Sequence, residues 1–355
     1  MDIKKRIITE YFSDADHEDQ SRSLRTITLF GKNSSTYKFA LTHALLNQNA
    51  NNSQIKYEDL QDDFLSEFVR NYETVPNQFS KVGSNRVTQA LDIYLRSGKS
   101  ERGWLELKKA TAPIWHNYVF DAFHNVGGGK IDKKWWLFEH DKYSSKLVMT
   151  DMLLAVLENP KQRQSMLLEN EARWNIVQSA WAEGLSTNIV TLNEQDNSLV
   201  IVGKLSQRRI GIRSVLDALL PYQKGRCFYC NCSVDRHANQ NEDNFPDVDH
   251  FFAHSFLKMK VYESEILVNK DGIWNLVIAC KSCNRGGLGK FDSRPAKPYF
   301  EKLINRNLLF IEEDRHAFKN GVLETLGVTH KTHMVSKMWE LWKDFEVFKE
   351  WMPKY

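Results

Sequence analysis

Apolar residues recur at helical spacing along the first half of the chain, and this pattern predicts a mainly α-helical region over residues 1–187. Residues Tyr37–Leu46 show the spacing and follow a Ser-Thr pair suited to capping a helix. The segment 149–157 is a further predicted helix, which ends near Pro160.

Tryptophan-rich stretches indicate two more helices. Trp174, Val177 and Trp181 lie at positions i, i+3 and i+7, and Gly184 is the expected helix end. Near the C-terminus, aromatic residues at intervals of three predict an amphipathic helix that ends before the last proline: Trp339, Trp342, Phe345 and Phe348. We interpret these aromatic residues as core packing rather than as a surface that stacks on bases.

The pattern changes in the middle of the chain. The apolar segments 189–192 and 199–202 flank the polar run 193–198, which predicts a β-hairpin. Three arginines then lead into an apolar helix over residues 215–220. We place a domain boundary near residue 205, directly after the hairpin.

Composition and charge limit the class of protein. The chain has 355 residues, 42% apolar and 26% charged, which is ordinary for a globular protein of more than one domain. No apolar run approaches the length of a membrane span or of a secretory signal, so we expect a cytoplasmic protein with no membrane contact. The net charge is only +3, yet residues 205–300 carry 14 Lys and Arg against 10 Asp and Glu. Positive charge therefore concentrates in that segment.

All five cysteines lie in this segment, with none among the first 226 residues. Cys227 and Cys230 form one CxxC pair and Cys280 and Cys283 form another, a spacing that supplies four thiolates to a structural Zn²⁺. Such clustering argues against a disulfide framework. The 49 residues between the pairs predict a self-contained insert. Whether Cys232 also binds metal stays open.

The insert contains the sequence DVDHFFAHS, which is predicted to be a strand that runs into a loop. On an extended backbone Asp249 and His250 point in opposite directions, so one can bind a metal while the other faces a substrate water. A second predicted strand, WNLVIAC, leads into the second CxxC pair. Asn284 follows that pair on a predicted helix.

These motifs, in this order between two CxxC pairs, resemble the HNH (ββα-metal) nuclease family in its zinc-supported form, over residues 221–300. The continuation, GKFDSRP and then FEKLINRN, is similar to bacterial HNH proteins of restriction and anti-phage defence. The residue pattern and this resemblance together predict an α+β fold in three parts. A mainly helical region with a late β-hairpin spans 1–204, and whether its role is recognition or regulation is unknown. An HNH nuclease domain with zinc knuckles spans 205–300, and C-terminal helices span 301–355.

The resemblance also assigns catalytic roles. His250 would be the general base, whose ordinary pKa of about 6.5 suits this task at neutral pH. Asp249 and Asn284 would bind a catalytic Mg²⁺ or Mn²⁺ through oxygen atoms. Asn275 would orient the loop that carries the base by hydrogen bonds to its backbone. A proline frequent in the family is Ala253 here, which lowers rigidity but removes no catalytic group.

Four basic residues are candidate nucleic-acid contacts. Arg285 and Lys290 flank the proposed catalytic metal site. Lys258 and Lys260 lie in the insert, where a solvated surface is an equally good interpretation. For His254, a contact to phosphate or metal and an exposed or packed side chain both stay open.

The expected function is a metal-dependent endonuclease that hydrolyses phosphodiester bonds in DNA, in restriction or anti-phage defence. A first alternative is a zinc-supported nucleic-acid-binding module without catalysis, against which the presence of Asp249, His250 and Asn284 argues. A second is a subunit that cleaves only with a protein partner, such as an ATPase, a helicase or a second copy, bound through the helical regions. RNA is the alternative substrate.

Overall fold

The computed structural model describes residues 20–31, 34–80, 85–114, 118–126, 129–141, 143–182, 188–193, 198–203, 209–257, 268–312 and 318–354. The chain divides into two compact units, unit 1 over Met1–Ala182 and unit 2 over Glu183–Tyr355. None of the helices in the described ranges combines the length and the apolar character that crossing a membrane requires.

Unit 1 is mainly helical, as the hydrophobic pattern predicts. Its helices are α1 (Arg22–Phe30), α2 (Tyr37–Leu46), α3 (Tyr57–Thr74), α4 (Arg86–Arg96), α5 (Glu101–Ile114), α6 (Phe120–Phe123), α7 (Asp151–Glu158) and α8 (Pro160–Ala182). Its strands are β1 (Gln54–Lys56), β2 (Asn125–Val126), β3 (Gly129–Lys130), β4 (Phe138–Asp141) and β5 (Lys146–Met149). One antiparallel sheet has the order β1–β5–β4, and β2 pairs with β3.

Helix α2 has the predicted bounds, but its N-terminal threonine has a different role. The Thr36 hydroxyl donates to Gln78 Oε1 at 2.6 Å instead of capping the helix. The same oxygen accepts a hydrogen bond from Trp174 Nε1 at 2.9 Å. Trp174 is 1% exposed and its ring lies against Phe39, which confirms the core interpretation of this tryptophan.

The helix predicted over residues 149–157 begins two residues later in the structure than the sequence pattern indicates. Met149 pairs with Phe138 as the last residue of strand β5, and α7 starts at Asp151. The apolar periodicity could not separate the two elements because a buried strand end and a helix start place apolar residues at similar spacing. The predicted helix end at Gly184 lies outside the described residues.

Unit 2 combines short strands with helices. Its helices are α9 (Val215–Leu219), α10 (Lys281–Arg285), α11 (Lys297–Glu312), α12 (Lys319–Thr325) and α13 (Lys331–Asp344). Its strands are β6 (Asn188–Asn193), β7 (Ser198–Gly203), β8 (Arg209–Ser214), β9 (Pro246–His250), β10 (Leu276–Cys280), β11 (Arg294–Pro295) and β12 (Glu350–Trp351). Strands β6, β7 and β8 form an antiparallel sheet, β9 pairs antiparallel with β10, and β11 pairs parallel with β12.

Two elements of unit 2 differ from the sequence expectation. The predicted hairpin is confirmed as β6 and β7, but the arginine-rich segment after it forms a third strand, β8. Helix α13 ends at Asp344, and Phe345–Val347 continue as a 3₁₀ turn. An aromatic interval of three fits a 3₁₀ turn as well as an α-helix, so the sequence could not distinguish them.

Aromatic residues form the core of unit 2. The rings of Phe300 and Trp342 stack with centroids 4.5 Å apart, and Phe251 lies 6.2 Å from the same tryptophan. The ring centroids of Phe252 and Phe345 lie 5.5 Å apart. The two phenylalanines that follow strand β9 therefore pack directly on helices α11 and α13 and hold the end of this strand in place.

Helix α11 also binds the backbone before strand β10. Arg306 is buried and its guanidinium donates to the carbonyls of Ile273 at 3.0 Å and Trp274 at 3.1 Å. Asn307 donates to the Trp274 carbonyl at 2.9 Å. Burial lowers the pKa of Arg306 to about 9, and its carbonyl partners offset the cost of the buried charge.

The sequence predicts domain boundaries near residues 205 and 300. The boundary at residue 205 falls in residues 204–208, outside the described part. The boundary at residue 300 falls inside helix α11, and the compact unit continues to the C-terminus. The helices after residue 300 share a core with strand β9, so structurally they belong to the same unit. The functional division into three parts stays a prediction.

Candidate functional site

The first CxxC pair lies in a tight turn that is bonded to strand β10. Asn231, at a φ of 61°, donates to the Cys227 carbonyl at 3.1 Å, and Cys227 donates to the Cys232 carbonyl at 2.9 Å. Asn is one of the residues that tolerate this left-handed conformation. Phe228 donates to the Ile278 carbonyl at 2.9 Å, which fixes the turn beside the strand that leads to the second pair.

The sulfur atoms of the two CxxC pairs come together. Those of Cys227, Cys230, Cys280 and Cys283 all lie within 4.8 Å of one another. Cys230 Sγ and Cys280 Sγ lie 3.7 Å apart. A tetrahedral zinc site with Zn–S bonds of about 2.3 Å requires sulfur separations of about 3.8 Å. The arrangement of the four thiols is compatible with a structural Zn²⁺.

Hydrogen bonds among the neighbouring thiols shift their pKa values in both directions. They lower the pKa of the Cys227 thiol and raise the pKa of the Cys283 thiol, so negative charge concentrates on part of the cluster. Zn²⁺ binds the deprotonated form of each thiol. Cys232 donates one of these hydrogen bonds but does not belong to the group of four in the described residues, which leaves it as a neighbour of the cluster.

Strand β9 pairs with β10, the short helix α10 follows β10 directly, and the register of the two strands orients the site. His250 pairs with Leu276, and Asp249 pairs with Val277. Side chains alternate along a strand, so Asp249 and His250 point to opposite faces. Their partners show this separation, since each residue contacts a different group of side chains.

On its face of the strand, His250 meets Asp271 and His254. His250 Nε2 lies 3.0 Å and His254 Nε2 lies 3.2 Å from Asp271 Oδ1, and the two imidazole centroids are 3.9 Å apart. Lys270 Nζ lies 3.1 Å from His254 Nδ1. An ammonium group only donates, so Nδ1 of His254 accepts and the proton of the neutral ring lies on Nε2.

The charge states within this cluster follow from burial and hydrogen bonding. Burial lowers the pKa of His250 below its ordinary value, although Asp271 opposes the shift. Burial raises the pKa of Asp271, but hydrogen bonds from His250 and His254 outweigh it and lower the pKa well below its usual range. At neutral pH a neutral imidazole therefore lies beside a carboxylate. When His250 donates Nε2–H to Asp271, its Nδ1 carries the lone pair and can accept a proton.

Asn275 joins the two loops that carry these side chains. Its Oδ1 accepts from the Phe252 N–H at 2.8 Å, and its Nδ2 donates to the carbonyls of Phe252 and Lys270 at 3.0 Å each. Asn275 is completely buried. The expected hydrogen bonds to the backbone after His250 are present, and the bond to Lys270 extends them to the residue before Asp271.

The loop of Asp271 has its own supports. The Asp271 N–H donates to Asn269 Oδ1 at 3.0 Å in a local turn. Gly272 packs so closely on Thr325 that a Cβ atom would overlap the threonine side chain. Asp271 is not among the site residues that the sequence predicts, although the turn sequence Asn-Lys-Asp-Gly shortly before a buried strand is a signal for it.

On the opposite face, Asp249 is held by an interior network. The Tyr229 hydroxyl donates to Asp249 Oδ2 at 2.5 Å, and Lys290 Nζ lies 3.2 Å from Oδ1. Asp249 is 6% exposed and Lys290 is 0% exposed. Burial raises the pKa of Asp249, and the lysine and the tyrosine oppose this shift. Lys290 also donates to the carbonyls of His250 and Phe291.

The remaining predicted site residues gather at Asp247. Asn284 Nδ2 donates to Asp247 Oδ2 at 3.3 Å, and the Arg285 guanidinium binds both carboxylate oxygens at 2.7 and 3.2 Å. Asp247 is not among the site residues that the sequence predicts. Its signal was the position two residues before Asp249, which places both aspartates on one face of strand β9.

The structure thus groups the predicted catalytic residues differently from the expectation. Both oxygens of Asp249 are engaged by Tyr229 and Lys290, and the Asn284 amide donates to Asp247, so this pair does not fit an open oxygen site for Mg²⁺.

A different ligand set meets the geometric requirement for a second metal. One ligand atom each from His250, His254 and Asp271 lie within 4.8 Å of one another. Two imidazoles and a carboxylate suit a transition ion such as Mn²⁺ or Zn²⁺.

The predicted nucleic-acid contacts have three outcomes. Arg285 remains accessible, with 47% of its side chain exposed, although it pairs with Asp247. Lys290 is fully buried and cannot reach a phosphate, so we correct its role to a structural partner of Asp249. Lys258 and Lys260 lie outside the described residues.

No family model matches the chain, and no curated protein and no solved structure matches it significantly. Function is therefore inferred from the chemistry of the chain itself.

Proposed function

We propose that the chain is a phosphodiester hydrolase of the HNH type that acts on DNA. The observation that carries this proposal is the pair of His250 and Asp271, which Asn275 holds at the end of a two-stranded sheet. A base held by a carboxylate, with the base positioned by buried hydrogen bonds, is the arrangement that proton abstraction from water requires. Two strands after the first cysteine pair, followed by a short helix that contains Cys283, have the order that the HNH resemblance implies.

In the proposed reaction the residues have separate tasks. His250 accepts a proton from the attacking water at Nδ1, since its Nε2–H is directed at Asp271. The Asp271 carboxylate keeps the imidazole in this tautomer and stabilises the imidazolium that forms. Asn275 keeps both loops at a fixed separation. General base catalysis of this kind contributes roughly 10²- to 10⁴-fold to a rate.

The proposal includes two metal ions, one with a structural role and one with a catalytic role. The four-cysteine cluster would hold a structural Zn²⁺, which contributes folding energy to the surrounding turns. A catalytic Mg²⁺ or Mn²⁺ would supply positive charge against the phosphate. Because the contacts of Asp249 and Asn284 do not fit that role, we assign no step to a cation at that pair.

A second interpretation of the same cluster is a transition-metal site in which His250 is a ligand instead of a base. The spacing of the ligand atoms of His250, His254 and Asp271 favours it. Because Lys270 donates to His254 Nδ1, the Nε2 atom of His254 carries the ring proton and offers no lone pair to a metal ion, which favours the general-base interpretation.

The biological setting rests on the resemblance alone. The proposal also includes a role in restriction or anti-phage defence, a cytoplasmic location and a protein partner such as an ATPase or helicase. No contact among the described residues supports these parts of the proposal. RNA as the substrate is tested by the same assay as DNA.

The test uses the full-length protein with supercoiled plasmid DNA, with structured RNA in a parallel reaction, and with Mg²⁺, Mn²⁺ or no added metal. We expect metal-dependent nicking that His250→Ala abolishes and that His330→Ala, a change at an exposed histidine, leaves intact. Cleavage by His250→Ala at the wild-type rate would show that His250 is not the base. Cleavage of RNA alone would correct the substrate.

A further inference from the structure

Phe291 combines an exposed aromatic ring with a costly backbone conformation. The residue is 57% exposed and has a φ of 47°. It occupies the second position of a turn closed by the Ser293 N–H and the Lys290 carbonyl at 2.8 Å, where a positive φ is normally supplied by glycine. A bulky residue at positive φ is an outlier. The exposed ring gains little from burial, so packing in the folded state does not explain why a phenylalanine occupies this strained position.

The backbone of Phe291 lies between the strand of His250 and helix α10. The Lys290 ammonium donates to the Phe291 carbonyl at 3.0 Å and to the His250 carbonyl at 3.1 Å. The Phe291 N–H donates to the Asn284 carbonyl at 3.0 Å. These bonds place the Phe291 backbone beside the His250 backbone, because the buried Lys290 ammonium donates to both carbonyls.

The loop 286–291 holds this residue on a close-packed backbone. A Cβ at Gly286 would approach the Ser282 carbonyl oxygen to 2.7 Å, and one at Gly289 would approach the Asn284 carbonyl oxygen to 2.9 Å. Leu288, whose side chain is 64% exposed, lies on the same loop. The loop therefore presents two exposed apolar side chains from a backbone that packs closely at Gly286 and Gly289.

We infer that Phe291 stacks on a nucleobase of the substrate, close to the phosphodiester that the proposed site would hydrolyse. This inference rests on the proposed function and deepens it. Half-exposed Arg285 lies on the helix before the loop, and the excess of positive charge lies in residues 205–300, so the surroundings complement a chain of bases and phosphates. Stacking on an aromatic ring tolerates any base. The substrate class is therefore nucleic acid with a base free to leave its stack, such as a single strand or a distorted duplex, without a fixed sequence.

The test measures binding of the full-length protein to a fluorescently labelled single-stranded oligonucleotide by anisotropy, without added Mg²⁺ or Mn²⁺, beside the plasmid assay. We expect Phe291→Ala to weaken binding by roughly 5- to 150-fold, the range that loss of one base–aromatic stack produces. Phe291→Tyr retains binding. Tyr143→Ala removes a fully exposed aromatic residue of unit 1 and leaves binding unchanged.

Phe291→Gly separates stacking from a structural role. Glycine accepts the positive φ without strain, so this variant should melt at a temperature equal to or above that of the wild type and still bind as weakly as Phe291→Ala. A Phe291→Gly variant with wild-type binding would overturn the inference.

The two proposals fail in different ways. Wild-type cleavage with unchanged oligonucleotide binding by Phe291→Ala overturns the stacking role and leaves the nuclease proposal intact. Weakened binding by Phe291→Ala in a protein that cleaves nothing supports stacking and overturns the nuclease. Unchanged binding together with loss of a dimer in Phe291→Ala would assign the loop to a second copy and overturn stacking.

Discussion

The imidazole Nε2 of His250 and the carboxylate Oδ1 of Asp271 lie 3.0 Å apart, although the two residues are 21 positions apart in the chain. The contact joins the end of strand β9 to a turn before strand β10. Asn275 bonds to the backbone on both sides of it, so the pair is held by the fold and not by a flexible side chain alone. The Asp271 carboxylate therefore controls which nitrogen of His250 is free for chemistry.

We expect Asp271→Asn to lower the rate of plasmid nicking by roughly 10²- to 10⁴-fold at pH 7, because an amide does not stabilise an imidazolium and can select the wrong tautomer. The rate is measured with saturating metal, beside circular dichroism to verify folding. The control is Glu301→Gln, which removes an exposed carboxylate on helix α11 and should leave the rate unchanged. Equal rates for Asp271→Asn and wild type would exclude Asp271 from the reaction.

His254 separates the base from the metal-ligand interpretation. If His250 acts as a base, His254→Ala should keep the cleavage rate within about tenfold, since general-base catalysis requires only the positioned imidazole and its carboxylate. Calorimetric titration with Mn²⁺ in the same variant tests the alternative. Loss of both Mn²⁺ binding and cleavage in His254→Ala, with both retained in the exposed-histidine variant His237→Ala, would assign His250 to metal coordination.

The four-cysteine cluster predicts one tightly bound zinc ion. Cys280→Ser should lower the zinc content measured by elemental analysis and reduce the soluble yield, because loss of a ligand removes folding energy. Cys232→Ser is the matched control, since this thiol lies beside the cluster but outside the group of four, and it should retain zinc. Well-folded wild-type protein without zinc would contradict the assignment.

Asn275 is expected to stabilise the fold as well as the site. Asn275→Ala leaves a buried N–H and two carbonyls without their side-chain partner, which should lower the free energy of unfolding by about 1–3 kcal/mol or more. Urea unfolding measures the change. Asn239→Ala, at an exposed asparagine of the same unit, should change it by less than about 0.5 kcal/mol. A similar effect of both variants would refute a positioning role.

The buried pair of Lys290 and Asp249 predicts strong coupling. Lys290→Met leaves a buried carboxylate without its cation and should destabilise the protein by about 3–5 kcal/mol. Asp249→Asn in the same protein removes the uncompensated charge and should recover part of the loss. A double-mutant cycle by urea unfolding gives the coupling, and additive effects would show that the two groups do not interact in solution.

The local sequence was sufficient for several elements. The apolar spacing of Tyr37–Leu46 predicted a helix with its observed bounds, and the polar run after residue 192 separated the strands of a hairpin. The two CxxC pairs predicted their own convergence. In each case neighbouring residues carry the determinant, since helix periodicity, turn chemistry and ligand spacing are local properties.

The partners of the site residues could not be predicted in this way. Alternation along a strand placed Asp249 and His250 on opposite faces, but it did not show that Lys290 would be buried against Asp249 or that Asp271 would meet His250. Lysine and aspartate are surface residues by default, so their burial depends on contacts made elsewhere in the fold.

The sequence alone therefore determined the helical character of unit 1, the cysteine frame and the candidate base at His250. Tertiary structure decided which carboxylate holds that base, which lysine is unavailable to phosphate, and that Phe291 is exposed at positive φ beside the site. The physical reason is that ion pairs and burial arise between segments distant in sequence, whose approach is set by packing of the whole unit rather than by local pattern.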